Sequence, residues 1–492
     1  MPDARSTMPR VTDAATGTRP LVLSPFRGLR YAPGRVSDLA AVTSPPYDVL
    51  DRDSIAALAA GEPHNIVRVI LPRHAGAAER GLGSPPQPGD DAAMDPYRRA
   101  ADLLRKWRAE GILVADPDPA LYVYEQYVVG PAEHQNSAPA SAVSPDVPSA
   151  LPSDPTSAVP PDVPSAGFTL RGLLGAVGLR SADEHVILPH EDVLPGPVAD
   201  RLALMRSCAA NLEPILLAYD GGGTASELVE ATVTSDPMVQ AQTPDGTRHR
   251  LWRITDRGRT AEIAADLAPR QALIADGHHR YATYLRLRDE LRASGAGDGP
   301  WDYGLALLVD QRVHPLELTA IHRLISDLTL ADAVERLTKP PVEIQNYRDD
   351  AVAARRALAA CRRAGHGFLL TDGDGWSLAR VRLGARVPLG QPAVTSDRPT
   401  MGGREPFDTE ILHEFLLSQL LGVADDRIEY AHDEETATRI AREHNRLAVI
   451  LNPVELTSVQ AVAREGGRMP RKSTSFGPKP RAGFVMLDFA DN

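Results

Sequence analysis

The sequence contains very little cysteine and no long hydrophobic run. Its two cysteines, Cys208 and Cys361, lack C-x-x-C spacing, which excludes a disulfide framework and favours a reducing compartment. No stretch reaches the roughly 18 apolar residues of a membrane span, and residues 1–20 lack the apolar core of a signal peptide. We therefore expect a soluble cytoplasmic protein without a membrane partner.

Basic residues are fewer than acidic residues. The chain has 53 Lys and Arg against 65 Asp and Glu, for a net charge of −12, and no block of consecutive basic residues. We therefore expect no nucleic-acid partner. Lysine occurs only at Lys106, Lys339, Lys472 and Lys479. Since almost all other basic residues are arginine, each lysine is a candidate for a specific role.

Several familiar catalytic motifs are missing as well. The sequence contains no G-x-x-x-x-G-K-[ST] loop, no kinase-type glycine loop and no G-x-S-x-G elbow. A zinc site on His278 and His279 is not expected, because adjacent helical residues diverge by about 100° and no Cys or H-x-x-x-H partner is near.

The composition changes along the chain suggest one large unit with a tail and insertions. Residues 1–20 are predicted to be a disordered tail, and 74–92 an exposed insertion. Residues 130–166 are rich in Pro, Ser and Ala and repeat with a period of 16, which predicts a disordered insertion. Residues 21–492 are expected to form the catalytic unit, either whole or as two lobes at 21–265 and 266–492.

Hydrophobic periodicity predicts a mixture of helices and strands. Residues 121–129 and 168–179 are predicted to pair as strands, 95–110 to form a helix and 245–265 a hairpin. Further strands are predicted at 215–218, 272–275, 303–309, 381–383 and 448–451, and helical segments at 329–364 and 408–421. This order predicts the α+β class, a mixed α/β fold with irregular mixed sheets.

The most informative segment is 272–284. The apolar run 272–275 predicts a buried strand that ends at Asp276-Gly277, after which apolar residues recur at helical spacing. His278, His279 and Arg280 therefore fall on the first turn of a helix, where unpaired N–H groups and the helix dipole attract anions. This pattern predicts a phosphate site; a polar turn with a helix cap is the simpler alternative.

Two other segments present acidic residues. Pro45-Pro46 stiffens the chain before Tyr47-Asp48. An apolar run at 186–188 precedes His190 and Glu191, which are predicted to lie in a loop. A carboxylate in either place is a candidate Mg²⁺ ligand or general base. An ordinary structural turn and a solvated loop acid are the corresponding alternatives.

The segment 469–480 holds two of the four lysines. Lys472 and Lys479 flank the hydroxyl residues Ser473, Thr474 and Ser475. Ammonium and hydroxyl groups both bind phosphate oxygens, so this segment predicts a second phosphate contact; a basic surface loop is the alternative. The pair His322-Arg323 ends another apolar run and is weaker, because a satisfied semi-buried pair explains it.

Together these segments resemble the uncharacterised bacterial family called DUF1015. The resemblance spans about residues 22–490, with the 74–92 and 130–166 insertions as departures. It is carried, in order, by Pro25-Phe26-Arg27-Gly28, Pro45-Pro46-Tyr47-Asp48, His64-Asn65, Pro189-His190-Glu191, Ala275-Asp276-Gly277-His278-His279-Arg280-Tyr281, His322-Arg323 and Met469-Pro470-Arg471-Lys472-Ser473-Thr474.

The Asp276–Arg280 block also resembles the phosphate-binding turn of the ParB/sulfiredoxin superfamily, which includes CTP-binding partition proteins, sulfiredoxins and free-serine kinases. The resemblance implies a ParB/sulfiredoxin-like element with nucleotide phosphates on Gly277, His278, His279 and Arg280. Sulfiredoxin chemistry requires a reactive cysteine near one of these motifs, and a DNA clamp requires a basic face. Neither is evident in the sequence.

These observations lead to the hypothesis of a small-molecule kinase that uses ATP or ADP and Mg²⁺. The acceptor is a small hydroxyl compound, with free serine as one instance. Lys472 and Lys479 are expected to carry transition-state charge, with Ser473 and Thr474 as auxiliary contacts.

The base and the metal ligand stay open among several acids. Glu191, beside His190, is the first choice for both roles, and Asp276 and Asp48 compete with it. A non-catalytic nucleotide-binding switch and a phosphoesterase remain alternatives to the kinase. The sequence gives no oligomeric state.

Overall fold

The computed structural model describes residues 19–73, 95–129, 167–362, 365–382 and 406–492. The predicted insertions at 74–92 and 130–166, and nearly all of the predicted tail, lie outside the described residues. The chain divides into two compact units. The first comprises Met1–Leu188, Val193–Leu316 and Pro478–Asn492, and the second comprises Pro189–Asp192 and Glu317–Gly477.

The strands are numbered in chain order. They are β1 Leu23–Ser24, β2 Gly28–Tyr31, β3 Leu113–Ala115, β4 Leu121–Val128, β5 Phe168–Gly178, β6 Ile187–Leu188, β7 Ala210–Asn211, β8 Ile215–Tyr219, β9 Val239–Gln242, β10 Arg248–Ile254, β11 Ala272–Asp276, β12 Tyr303–Asp310, β13 Glu317–Thr319, β14 His322–Ile325, β15 Val342–Arg348, β16 Gly365–Thr371, β17 Trp376–Arg382, β18 Ile428–Ala431, β19 Leu447–Leu451, β20 Ser475–Gly477 and β21 Met486–Asp488.

The helices are distributed over both units. In the first unit they are Leu39–Val42, Arg52–Gly61, Val67–Ile70, Pro96–Ala109, Pro195–Cys208, Thr224–Thr232, Arg257–Leu267 and His278–Ala293, with short 3-10 turns at Tyr47–Val49, Ala182–Glu184 and Pro300–Asp302. In the second unit they are Leu330–Leu337, Ala351–Cys361, Asp408–Glu410 with the π-helical Ile411–Leu421, Glu434–His444 and Leu456–Arg464, with a 3-10 turn at Asp425–Arg427.

The first unit is built on a nine-stranded mixed sheet. Its order is β6-β11-β8-β12-β5-β4-β10-β9, and β1 pairs with β5. β12 is buried along its whole length, because both of its faces are covered. This burial explains why the strand is apolar up to its last residue, Asp310. A smaller sheet of order β3-β2-β21-β7 completes the unit.

The helix Pro96–Ala109 anchors a second core in the first unit. Asp95 caps it by accepting from the Tyr97 N–H, and Pro96 occupies its first turn. Leu104 and Trp107, each 2% exposed, project from one face into a cluster with residues of β2, β3 and Pro195–Cys208. Burial of this face therefore fixes the helix beside the site described below.

The second unit has a six-stranded sheet of order β15-β17-β16-β19-β14-β18, with β13 paired to β20. Alternate residues of β16 enter different cores: Phe368 and Leu370 pack with Ile411–Leu421, and Leu369 packs with Ala351–Cys361. The period of two along a strand produces this division. Among the described residues, no helix combines the length and apolarity of a membrane span.

The mixed α+β class predicted from the sequence is confirmed. The predicted pairing of 121–129 with 168–179 is observed as β4 against β5. The hairpin predicted at 245–265 lies earlier in the chain. Its strands are β9 and β10, and Arg257–Leu267 is a helix capped by Asp256. The helical prediction at 329–364 missed β15, which follows Pro340-Pro341, residues that cannot continue a helix.

The division into units falls at different positions from the two lobes considered above. Residues 266–316, assigned there to the second lobe, contribute β11 and β12 to the sheet of the first unit. The chain also returns to the first unit at Pro478. Such returns leave no local signal in the sequence.

We predict that Trp107→Ala destabilises the protein by about 3–5 kcal/mol, because a large, fully buried side chain leaves a cavity. Lys106→Ala, on the same helix with its side chain 66% exposed, should change stability by less than about 0.5 kcal/mol. Urea unfolding followed by circular dichroism measures both. Equal, small effects would show that this helix face does not support the core.

Candidate functional site

The centre of the candidate site is the turn between β11 and the helix His278–Ala293. Gly277 has φ +94°, a left-handed conformation, and a Cβ atom there would lie 2.8 Å from Cγ2 of Ile215. Only glycine fits both constraints. The predicted strand, turn and helix start are therefore observed in the predicted order.

Arg280 faces the interior of this turn. Its side chain is 3% exposed and contacts a carboxylate oxygen of Asp276 at 2.5 Å. It also donates to the carbonyl of Pro214 at 2.6 Å. Arg280 thus ties the first turn of the helix to the end of β11 and to the residue before β8. This makes it a positioning residue, and its contact with a phosphate stays a prediction.

Lys479 joins two of the predicted acidic residues. Its ammonium lies 2.5 Å from Oδ2 of Asp48 and 2.7 Å from Oδ1 of Asp276. Asp48 is 431 positions away in sequence and stands on the 3-10 turn Tyr47–Val49, behind the rigid Pro45-Pro46 pair. We call Asp48, Asp276, Arg280 and Lys479 the Lys479 cluster.

The Lys479 cluster runs from the surface to the interior. The side chain of Asp48 is 35% exposed, those of Lys479 and Asp276 are 14% and 11% exposed, and that of Arg280 is 3% exposed. Two carboxylates and two cations balance in charge, which satisfies the requirement that buried charges be paired. Lys479 keeps some exposure between the outer Asp48 and the inner Asp276, so its ammonium can exchange a carboxylate partner for a ligand.

Electrostatic interactions keep both partners of the outer pair charged. Burial opposes ionisation of Asp48, but Lys479 and Arg280 outweigh it and lower the pKa of this carboxyl below its usual value. Burial also opposes the charge of Lys479, yet Asp276 and Asp48 raise the pKa of its ammonium well above the ordinary range. The pair is therefore ionised at neutral pH.

Glu213 lies close to the same cluster and was not recognised from the sequence. Burial raises the pKa of this carboxyl, although the charges of Arg280 and Arg201 act against the rise. Its Oε1 accepts the Tyr47 N–H at 3.1 Å, and Oε2 lies 3.7 Å from Arg201. The only sequence signal for Glu213 was its position directly before Pro214 and a buried strand.

A cavity of about 620 Å³ opens beside Asp48 in the first unit. Its volume is in the range of small-molecule sites. Its lining combines apolar side chains with a few charges: Tyr47, Asp48, Leu50, Asp51, Arg52, Ile55, Leu71, Gly196, Pro197, Asp200 and Arg201. The guanidinium of Arg201 stacks 4.5 Å from the ring centroid of Tyr47, which fixes the wall next to the Lys479 cluster.

The two histidines of the turn differ in their surroundings. His278 is buried, with 7% exposure. Nε2 of His279 accepts the backbone N–H of Leu194 at 3.0 Å, immediately before the helix Pro195–Cys208. His279 therefore connects the starts of two helices, a structural contact that the phosphate interpretation did not include.

The second unit brings together another part of the predicted set. The hydroxyl of Thr474 donates to Oε1 of Glu191 at 2.9 Å and lies 3.1 Å from Nε2 of His190. Since that hydroxyl gives its one proton to Glu191, Nε2 of His190 is the donor to it. Ser473, next to Thr474, is also buried.

Lys472 belongs to the second unit, whereas Lys479 belongs to the first. Lys472 has a left-handed backbone with φ +54°, and its ammonium lies 6.0 Å from the ring centroid of Tyr430. The structure thus brings Lys479 together with Asp48, Asp276 and Arg280. Separately it brings Thr474 together with His190 and Glu191.

Comparison with solved structures finds distant likenesses. A free serine kinase variant in complex with ADP is 16% identical, with 64% of this chain and 90% of that chain covered and a TM-score of 0.33. A conserved hypothetical protein from Pyrococcus furiosus is 15% identical, with 65% and 95% covered and a TM-score of 0.32. SbnI from Staphylococcus aureus is 10% identical, with 64% and 88% covered and a TM-score of 0.32.

The bound nucleotide belongs to that kinase, and TM-scores this low carry no conclusion about the present chain. No curated protein matches the sequence. The family model described as "Protein of unknown function (DUF1015)" matches residues 23–138 and 162–392. This match covers most of the chain and confirms the resemblance for all of the quoted motifs except Met469–Thr474, which lies beyond the matched residues. The protein therefore belongs to the DUF1015 family.

Proposed function

We propose that this protein is a phosphotransferase that moves a phosphoryl group from ATP or ADP to a small hydroxyl compound. Its active site consists of the Lys479 cluster and the cavity beside Asp48. One observation carries the proposal: Lys479 lies between Asp48 and Asp276, at the start of a long helix, and Asp48 also lines a ligand-sized cavity.

Phosphoryl transfer requires this combination of groups. The moving phosphoryl spreads negative charge over its oxygens, and catalysis consists mainly of positioning and of charge stabilisation. Lys479 supplies a mobile positive charge. The first turn at Gly277, His278 and His279 supplies backbone N–H groups at the positive end of the helix dipole.

Asp48 is the favoured general base, because it is the carboxylate of the Lys479 cluster that also lines the cavity. In the transfer, the acceptor hydroxyl gives its proton to Asp48, and its oxygen forms a new bond to the terminal phosphorus. The bond from that phosphorus to the bridging oxygen breaks, and ADP or AMP leaves. Asp276 and Arg280 hold Lys479 and the turn in place.

The carboxylates fit a Mg²⁺ ion that is shared with a nucleotide. Among the residues that the structure describes, no group of three His, Cys, Asp or Glu side chains is placed to hold a metal by itself. Mg²⁺ at phosphotransfer sites is usually held by one or two carboxylates plus substrate phosphates; Asp276 would provide one, which leaves Asp48 as the base. The ion would neutralise phosphate charge there. Glu191 as its ligand stays a prediction.

The charges of the cavity support an amino acid as the acceptor. Asp51 and Arg52 are exposed and offer a carboxylate for an ammonium group and a guanidinium for a carboxylate, whereas Asp200 and Arg201 are paired with each other. A hydroxy amino acid such as free serine carries both charges and a phosphorylatable oxygen. Free serine is therefore the first acceptor to test.

We predict that Lys479→Ala lowers turnover of Mg-ATP or Mg-ADP with the acceptor by roughly 100-fold or more, because it removes a cation from the transition state. Lys106→Ala is the matched control, since Lys106 is exposed in the same unit. Product formation by mass spectrometry over a panel of hydroxy amino acids and polyols is the measurement, with circular dichroism to verify folding.

A folded Lys479→Ala protein with unchanged turnover would refute the active-site assignment. Tight nucleotide binding by the wild-type protein without any product would replace the kinase by a nucleotide-binding switch. Release of phosphate from a phosphoester without nucleotide would replace it by a phosphoesterase.

We further predict that Gly277→Ala weakens nucleotide binding and lowers the melting temperature. The new methyl group meets Ile215, and alanine is strained at φ +94°. Gly297→Ala is the control, because it also replaces a glycine of positive φ in the first unit but has open space around it. Isothermal titration with Mg-ADP should separate the two variants; equal losses of affinity would contradict a special role for the turn at Gly277.

The lowered pKa of Asp48 makes a prediction about pH. A carboxyl whose pKa falls on folding contributes stability above its unfolded value, about 3.9, and loses that contribution as the pH drops through its lower folded value. The difference in melting temperature between wild type and Asp48→Asn should therefore be constant from pH 7 to 5 and shrink below about pH 4. A difference that grows on acidification would contradict the ionised pair.

A further inference from the structure

Among the residues that the structure describes, no acidic side chain pairs with Arg323, a buried cation of the second unit. The residue is 0% exposed, and its Nε donates to Nε2 of His413 at 3.0 Å. One terminal nitrogen donates to the carbonyl of Ile321. The other is buried and has no hydrogen-bond partner in the described part of the chain. None of these contacts provides a negative charge.

A buried, unpaired charge is costly, and such charges are normally paired or bound to a ligand. Burial lowers the pKa of Arg323 to about 10, so the guanidinium remains positive at neutral pH. Burial and the nearby Arg323 lower the pKa of His413 to about 4. His413 is therefore neutral and accepts the Nε–H without compensating the charge.

Arg323 and further cations lie near the aromatic ring of Tyr430. Tyr430 is opposite Arg323 in the register of β14 and β18, and its ring centroid is 5.3 Å from Cζ of Arg323. The ammonium of Lys472 is 6.0 Å from that centroid. Burial raises the pKa of the Tyr430 phenol, and the charges of Arg323 and Arg471 lower it while Asp425 raises it. Arg323 and Lys472 thus lie at the ring of Tyr430, and Arg471 and Asp425 act electrostatically on its phenol.

We infer that Arg323, Arg471 and Lys472 form a second anion site, in the second unit, for a phosphate group that is either free or esterified to a small molecule. Guanidinium and ammonium groups together are the usual protein partners of phosphate. Tyr430, 38% exposed, covers Arg323, and turning of its side chain would admit the anion. The inference uses residues of the second unit alone and does not depend on the proposed phosphotransferase activity.

Binding of phosphate to the full-length protein tests this inference. The probes are inorganic phosphate and glycerol 3-phosphate, compared with chloride at equal ionic strength, and the readouts are melting temperature and isothermal titration. All variants are made in a Lys479→Ala background, which removes the proposed ammonium contact of the first unit and leaves its backbone N–H groups the same in every variant. We expect a phosphate-dependent rise in melting temperature, weakened at least tenfold in apparent affinity by Arg471→Ala combined with Lys472→Ala.

Lys339→Ala is the matched control, because Lys339 is an exposed lysine of the same unit, and it should leave the affinity unchanged. The double variant alters two exposed side chains, which avoids the misfolding expected of Arg323→Ala. Binding of one probe and not the other would identify a free or an esterified phosphate. No phosphate-dependent shift, or an equal shift in the double variant, would overturn the inference.

Discussion

The shared pairing of Lys479 with Asp48 and Asp276 is the interaction on which the candidate site depends. It connects three segments of the first unit: the turn after Pro45-Pro46, the end of β11 and the segment that begins at Pro478. Because the four charges of the Lys479 cluster balance, they tolerate partial burial. In the proposed function, a phosphate that enters takes over the ammonium from a carboxylate, and this exchange leaves Asp48 free to accept a proton.

The inner part of the cluster has a different task from the outer part. Arg280 is buried and bonds to Asp276 and to the carbonyl of Pro214, so it holds the turn at Gly277 in place. Lys479 and Asp48 are more accessible and carry the chemistry in the proposed function. A buried support behind more accessible reacting groups suits the proposed transfer of a phosphoryl group, since positioning supplies much of the rate.

Local features of the site could be predicted from the sequence, and long-range ones could not. The run 272–284 predicted β11, the turn and the helix start, because hydrophobic period and glycine placement are local signals. Asp48 and Lys479 were both recognised as candidates, but their contact joins positions 431 apart and has no local signature. Lys472 and Lys479 were grouped because they are close in sequence, whereas the chain changes unit between them. The inward orientation of Arg280 depends on Pro214, which sequence spacing does not connect to it.

The most direct test of the account is a crystal structure of the full-length protein with Mg-ADP. We predict phosphate oxygens at the N–H groups of the first turn after Gly277, with the Lys479 ammonium moved from at least one carboxylate onto a phosphate. The rest of the nucleotide or the acceptor should occupy the cavity beside Asp48. A nucleotide bound elsewhere, with Lys479 still held between Asp48 and Asp276, would contradict it.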